Sequence, residues 1–234
     1  MLVHTAFDLL GWLTAALLAL LVGRLRLLDP SDRRTPFREP GYFIALGLGA
    51  LGGAIFVGSL NLNLAGMFAL GHSIAGGIAG GIIAVELYKW VNGITGSTGR
   101  AFVAPLAAGI AIGRLGCFFA GLPDYTYGIP TTLAWGVDFG DGIARHPVQL
   151  YESAAMLVFL VVYLAAIARG SAMFLREGFY LFVIVYGAQR FAWEFLKPYP
   201  KLFGPFNVFH LLCVIMIAYG LVMIGRTREL HPAR

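Results

Sequence analysis

Long apolar runs leave few folds open to this chain. Several of them approach the roughly 20 residues that a helix needs to cross a lipid bilayer, and only 12% of the 234 residues are charged. Soluble domains carry about 25% charged residues, so the composition excludes an ordinary soluble fold. The pattern predicts an all-α polytopic membrane protein with seven transmembrane helices, at about 6–28, 41–60, 72–91, 101–121, 148–168, 177–196 and 206–225.

The connections between these runs are short, with one exception. Pro30, Pro36 and Pro40 lie in the first connection, whereas residues 122–147 form one long connection that is rich in Gly, Pro, Asp and Tyr. Long loops inside compact proteins are usually functional. We therefore expect residues 1–234 to form a single transmembrane domain with a long outer loop at about 122–147.

The basic residues predict the orientation of the chain. Arg145, Lys197 and Lys201 are the cations of one side, whereas the first, third and fifth connections and the C-terminal tail carry far more. Because cytoplasmic loops are enriched in Lys and Arg, we expect the N-terminus outside and the C-terminus in the cytoplasm. The cations assigned to the cytoplasmic side are Arg24, Arg26, Arg33, Arg34, Arg38, Lys89, Arg100, Arg169, Arg176, Arg226, Arg228 and Arg234.

The net charge of +5 does not indicate a nucleic-acid partner, because the cations lie in short loops between apolar runs. The two cysteines, Cys117 and Cys213, both lie in apolar surroundings without metal-ligand spacing. We therefore expect no disulfide framework, no metal and no cofactor. The first run has no basic residue before it and is followed by Arg24 and Arg26, which favours a retained span over a cleaved signal peptide.

Polar side chains that the predicted topology brings to one depth form the candidate site. Ionisable groups inside a membrane are costly and usually functional. With the N-terminus outside, the outer half of the bilayer receives the ends of the fourth and sixth spans and the starts of the third and fifth. The candidates there are His72, Arg114, Gly116, Cys117, Gly121, Arg145, His146, Gln149, Tyr151, Glu152, Arg190 and Glu194.

Two arginines at this depth indicate an anionic partner, and a phospholipid phosphate is the abundant candidate. A guanidinium binds phosphate oxygens through two parallel hydrogen bonds and keeps its charge when partly desolvated. The alternative is neutralisation by a carboxylate. Arg190 and Glu194 have the i, i+4 spacing for such a pair, whereas Arg114 has no acid within four residues. Gly116 and Gly121 flank Arg114, where a bare backbone would admit a ligand.

The segment from Arg145 to Glu152 collects several kinds of chemistry in eight residues. Pro147 suits the first position of a helix, which places Gln149 and Glu152 on one face. Glu152 needs a cation or a proton at membrane depth, and Arg114 and Arg145 are both possible partners. Glu152 or His146 would relay a proton. A purely architectural polar knot between three spans is the rival interpretation.

In three places the sequence resembles the prolipoprotein diacylglyceryl transferase family. The resemblance is carried by Gly113-Arg114-Leu115-Gly116 with Phe118, by Arg145-His146-Pro147-Val148-Gln149-Leu150-Tyr151-Glu152, and by Tyr186-Gly187-Ala188-Gln189-Arg190-Phe191-Ala192-Trp193-Glu194. The second string is specific. The glycine run Gly76-Gly77-Ile78-Ala79-Gly80 is a weaker match.

The resemblance implies an enzyme of the bacterial cytoplasmic (inner) membrane whose site faces the outer leaflet. Its reaction would move diacylglyceryl from phosphatidylglycerol to a prolipoprotein lipobox cysteine thiol, with release of glycerol phosphate. Arg114 and Arg190 match the family's essential arginines and would hold the phosphate. The prolipoprotein signal peptide would be the second partner.

Several positions depart from the family pattern. The family's histidine before the paired glycines is Ala75 here, its asparagine after Arg-x-Gly is Cys117, and an expected acid is Leu122. His72 lies one helical turn before Ala75 and is a possible substitute. Cys117 is either a small apolar filler or a nucleophile with a thiolate favoured by Arg114.

These departures keep other functions open. One is a related transferase that acts on a different acceptor, such as a small thiol, an alcohol or another lipid. A second is a lipid-binding or lipid-moving protein that kept the phosphate site and lost the chemistry. A solute channel is a third, but its polar groups would line both halves of the membrane.

Overall fold

The computed structural model describes residues 2–24 and 39–230. These residues form seven long helices: α1 (Leu2–Arg24), α2 (Pro40–Leu64), α3 (Ile74–Val91), α4 (Val103–Ala120), α5 (Val148–Ala168), α6 (Ala172–Glu194) and α7 (Val208–Leu230). Two short strands, β1 (Val137–Asp138) and β2 (Ala144–Arg145), lie between α4 and α5. Pro30, Pro36 and several of the counted arginines lie outside the described residues.

Six of the seven helices are long and apolar enough to cross a membrane, which makes the chain a multi-pass membrane protein. The exception is α6, which begins at Ala172, five residues before the predicted start. It therefore includes Arg176 in addition to Glu177, Arg190 and Glu194. The all-helical class is confirmed. The seventh span, the orientation of the termini and the single domain stay predictions.

One compact unit contains α1, α4, α5 and α6. Helix α4 packs against α1 and α5, and α5 packs in turn against α6. Small residues on α4 permit this approach, since Ala104, Ala107 and Ala108 are all buried. A hydrogen bond of 2.7 Å from the Ser153 hydroxyl to the Ala111 carbonyl joins α5 to α4. This unit contains the segments of α4, α5 and α6 that carry most of the candidate site residues.

The other compact unit contains α2, α3 and α7. Helices α2 and α3 pack through glycines: a Cβ atom added at Gly53 would lie 2.3 Å from the Gly76 carbonyl oxygen, and one at Gly49 would lie 2.5 Å from that of Gly80. Glycine is therefore required for this distance between the helices. Helix α3 begins after Ser73, whose side chain accepts a hydrogen bond from the Gly76 amide.

A β-hairpin fills part of the connection between α4 and α5. Val137 pairs with Arg145, and Asp138 pairs with Ala144. The turn is held by Asp138, whose Oδ1 accepts hydrogen bonds from the amides of Gly140, Asp141 and Gly142. The hairpin fixes the backbone of Arg145 just before α5 begins.

Candidate functional site

Five charged side chains meet in the unit formed by α1, α4, α5 and α6. Arg114 comes from α4, Glu152 from α5, Arg190 and Glu194 from α6, and Lys197 from the turn after α6. All five are buried, and none exposes more than 5% of its surface. We call this group the ion cluster. It lies where α4 and α6 end and α5 begins, so all its members share one end of these helices.

Glu152 is the centre of the ion cluster. Its Oε1 accepts hydrogen bonds from Arg190 Nη1 at 2.6 Å and from Lys197 Nζ at 2.9 Å. Its Oε2 lies 2.7 Å from Arg114 Nε, but outside the direction of that N–H, so this contact is an ion pair without an aligned hydrogen bond. One carboxylate thus holds cations from two helices and from the turn after α6.

Arg190 also contacts the second acid of the cluster. Its Nη2 lies 2.7 Å from Glu194 Oε1, which is the i, i+4 pair that the spacing allows. Lys197 Nζ lies 3.8 Å from the same oxygen. Arg190 therefore bridges Glu152 and Glu194, and its guanidinium plane is fixed from both sides.

The start of α5 explains why Glu152 faces inward. The sequence predicts Pro147 as the first residue of the helix. In the structure Pro147 lies just before the helix, and α5 begins at Val148. Gln149, Glu152 and Ser153 then lie on the buried face of the helix. The Ser153 hydrogen bond to α4 lies next to Glu152, so it holds the carboxylate against the helix that carries Arg114.

The formal charges of the ion cluster do not cancel. Arg114, Arg190 and Lys197 supply three cations, and Glu152 and Glu194 supply two carboxylates. Among these five side chains, one positive charge is in excess. A buried excess cation is costly without an anion, so the cluster is suited to receive one singly charged group such as a phosphodiester.

Lys197 is a member of the ion cluster that the sequence pattern does not indicate, because its position assigns it to an outer loop. The spacing Glu194-x-x-Lys197 was the available signal, since i, i+3 pairs meet on a helix. Its side chain is fully buried. Burial, followed by the nearby Arg190 guanidinium, lowers the pKa of Lys197 to about 8. The excess charge of the ion cluster is therefore sensitive to pH.

Arg145 lies apart from the ion cluster. Its guanidinium donates two hydrogen bonds of 2.7 Å to the two oxygens of Asp141 and one of 3.0 Å to the Ile143 carbonyl, and it lies over the Tyr127 ring. Of the two cations considered for Glu152, the structure therefore pairs Arg114 and not Arg145. Hydrogen bonding to Arg145 lowers the pKa of Asp141 below its usual value.

His146 and Tyr151 form a second polar group beside the hairpin. The Tyr151 hydroxyl accepts a 2.9 Å hydrogen bond from Trp135 Nε1 and lies 3.4 Å from His146 Nδ1. The Tyr151 ring packs against Trp193 of α6, with 5.1 Å between ring centroids. We call these four residues the aromatic group. Within the described part of the chain, neither His146 nor Tyr151 forms a hydrogen bond or an ion pair with the ion cluster.

The remaining candidates lie near Arg114 or in the other unit. Arg114 Nη1 lies 3.8 Å from the sulfur of Cys117, a buried residue one helical turn further along α4. Gly121 ends α4 with φ of +70°, a conformation that favours glycine, and Gly116 is buried within α4. His72 is exposed and belongs to the unit of α2, α3 and α7, so its part in the site stays a prediction.

Comparison with known proteins gives a consistent result. The family model described as "Prolipoprotein diacylglyceryl transferase" matches residues 10–226. A phosphatidylglycerol–prolipoprotein diacylglyceryl transferase of Oleidesulfovibrio alaskensis is 36% identical over 166 residues, which is 66% of this chain and 60% of that protein. The same-named protein of Aromatoleum aromaticum is 35% identical, over 68% of this chain and 62% of that protein.

A longer match is found in Solidesulfovibrio magneticus. Its phosphatidylglycerol–prolipoprotein diacylglyceryl transferase is 33% identical over 233 residues, covering 89% of this chain and 84% of that protein. The alignments with the first two relatives span only about 60% of their length. No solved structure matches the chain significantly.

Proposed function

The chain belongs to the prolipoprotein diacylglyceryl transferase family, and from this premise we propose that it is a phospholipid-dependent transferase. It moves the diacylglyceryl group of phosphatidylglycerol to the lipobox cysteine thiol of a prolipoprotein and releases glycerol phosphate. The site faces the outer leaflet of the bacterial cytoplasmic membrane. The names of the relatives and the geometry of the ion cluster support the proposal.

The observation that carries the proposal is the convergence of Arg114 and Arg190 on Glu152 with one positive charge in excess. A guanidinium binds phosphate oxygens through two parallel hydrogen bonds, and it keeps its charge in a desolvated site. Glu152 and Glu194 hold the two arginines in place before the lipid arrives. Such preorganised donors stabilise charge that develops in a transition state.

The proposed reaction displaces a phosphate at carbon. The acceptor sulfur, as thiolate, attacks the glycerol carbon of the diacylglyceryl group that bears the phosphate ester, and a C–S bond forms as the C–O bond breaks. The electron pair of that C–O bond leaves with glycerol phosphate, whose added charge Arg114 and Arg190 stabilise. Glu152 is a positioning residue, because its oxygens already contact three cations.

The thiol proton needs a path away from the attacking sulfur. His146 and Tyr151 lie 3.4 Å apart and are outside the ion cluster, so their nitrogen and oxygen are not occupied by ion pairs with it. We assign the proton relay to His146 with Tyr151 beside it. Gln149, Arg145 and the backbone at Gly116 and Gly121 are assigned to substrate binding.

A direct assay tests this function. Purified protein in vesicles that contain phosphatidylglycerol is incubated with a lipobox peptide, and both glycerol phosphate and the peptide mass are measured. Release of glycerol phosphate together with peptide lipidation is expected. Release without lipidation indicates a different acceptor, and absence of release indicates a lipid-binding or lipid-moving protein.

The second candidate, a related transferase with another acceptor, is favoured by a specific observation. The position of the family's histidine is occupied by Ala75, which is 1% exposed, and the position of its asparagine by Cys117, which is 7% exposed. Neither buried side chain replaces the lost polar group. Supplying small thiols and alcohols in the same assay, with the lipid product identified by mass, separates this candidate from the first.

A further inference from the structure

Gln149 is a buried amide that the described residues leave without hydrogen bonds. Its residue surface is 0% exposed, and neither its Nε2 nor its Oε1 has a partner among the residues that the structure describes. Buried polar groups are almost always paired, and each exception calls for an explanation. A complementary ligand group is the simplest explanation for a donor and an acceptor that are unpaired side by side.

The position of Gln149 relates this amide to the ion cluster. It lies three residues before Glu152 on the same buried face of α5, so the two side chains are neighbours on the helix surface. Ser153, the polar residue that follows Glu152, is already bonded to the Ala111 carbonyl. The unpaired amide is therefore next to the charged site and one helical turn nearer the start of α5.

The chemistry of an amide selects among ligand groups. A hydroxyl can accept from Nε2 and donate to Oε1, which satisfies both atoms. A phosphate oxygen accepts only, so it would leave Oε1 facing another acceptor. An ammonium group donates only, so it would leave Nε2 unpaired. A hydroxyl close to a phosphate is the group that fits both Gln149 and the ion cluster.

We propose that Gln149 determines lipid specificity by binding a hydroxyl of the glycerol headgroup while Arg114 and Arg190 hold the adjacent phosphate. This inference rests on the proposed function and names the part of the lipid that the site reads. A site built to bond a hydroxyl rejects an analogue without it, because the buried amide then stays unpaired. We expect a lipid with this hydroxyl to bind roughly tenfold or more tightly than an analogue without it.

The test compares two lipids that differ only in headgroup hydroxyls: phosphatidylglycerol and phosphatidylpropanol. Competitive binding to the purified full chain is measured by native mass spectrometry, and turnover is measured in parallel. Wild-type protein is expected to prefer phosphatidylglycerol at least about tenfold, and Gln149→Met is expected to bind both lipids within a factor of about three. Ser153→Ala is the matched control, which is expected to lower stability and keep the preference.

Gln149→Glu is the second variant, because it keeps the shape and Oε1 but replaces the donor by an acceptor. It is expected to weaken phosphatidylglycerol binding and to increase the relative binding of phosphatidylethanolamine. An unchanged preference in both variants, or no preference in wild type, overturns the inference. If lipids bind with the expected preference but no glycerol phosphate is released, the proposed function fails and the assignment of Gln149 stands.

Discussion

At the scale of single residues, Glu152 is the side chain on which the ion cluster converges. A buried carboxylate is stable only with compensating cations, and Glu152 has three, from α4, from α6 and from the turn after α6. The same contacts fix the two guanidiniums that we assign to phosphate binding. One side chain thus links the stability of this unit to the geometry of its site, and substitutions here test the two roles separately.

Arg114→Lys and Arg190→Lys are expected to lower turnover by about 10²–10³-fold, because lysine keeps the charge but lacks the planar pair of donors. The measurement is glycerol phosphate release from phosphatidylglycerol vesicles. Arg169→Lys is the matched control, since Arg169 follows α5 and is exposed. If both site variants retain the activity of the control, the arginines do not bind the phosphate of the leaving group.

Glu152→Gln is expected to destabilise the protein by about 3–5 kcal/mol, because removing one partner of a buried ion pair leaves cations uncompensated. Thermal unfolding in detergent measures the effect. Combining it with Lys197→Met removes one of those cations, so the double variant is expected to be more stable than the sum of the two single effects predicts. Strict additivity would show that Lys197 and Glu152 do not interact.

The buried Lys197 predicts a pH dependence of stability. Its folded pKa of about 8 lies below the usual lysine value. Between pH 8 and the usual lysine pKa, the lysine is protonated in the unfolded chain and neutral in the folded chain. The free energy of unfolding therefore rises with pH in that window, and this gain is lost as pH falls through 8. Arginine does not titrate in this range. We therefore expect the melting temperature of wild type to rise relative to that of Lys197→Arg between pH 7.5 and about pH 10. A constant difference would mean that Lys197 keeps its proton.

At the scale of helices, close packing places the functional groups. The alanines of α4 bring α5 near enough for Ser153 to bond the Ala111 carbonyl. In the other unit, the glycines of α2 and α3 let the two backbones approach closely. A Cβ atom added at Gly49 or Gly53 would overlap a carbonyl oxygen of the facing helix. In a bilayer such contacts provide much of the association energy between helices, so small residues at these positions are as important as the polar ones.

Gly53→Ala is expected to destabilise the packing of α2 on α3 by about 1–3 kcal/mol, since its Cβ would lie 2.3 Å from the Gly76 carbonyl oxygen. Gly52→Ala is the matched control in the same helix, because a Cβ there has nothing within 4 Å. Alanine favours helix over glycine, so the control is expected to be neutral or slightly stabilising in thermal unfolding. Equal effects of the two substitutions would contradict the close packing.

At the scale of the whole molecule, the length of the apolar runs predicts the helical class, and the predicted topology places Arg114, Glu152, Arg190 and Glu194 at one depth; the structure brings these four side chains into contact. The spacing of residues on a helix is a local property, so the sequence alone predicts the Arg190–Glu194 pair. The pairing of Arg145 with Asp141 depends on the hairpin, whose short strands leave little periodic signal. The helix α6 begins earlier than predicted because the sequence pattern assigns Arg176 to the fifth connection, with the other cytoplasmic cations.

The topology remains the prediction on which the outer-leaflet site depends. Asymmetric basic loops predict that the connection between α4 and α5 faces outside and that the loop after α3 faces the cytoplasm. Thr132 and Asn92 are exposed in these two loops, whereas the native Cys117 and Cys213 are buried and are expected to give little background. A membrane-impermeant maleimide applied to intact cells is expected to label Thr132→Cys and to spare Asn92→Cys until the membrane is permeabilised. The reverse pattern would place the ion cluster at the cytoplasmic face, where a lipobox peptide that has crossed the membrane does not reach it.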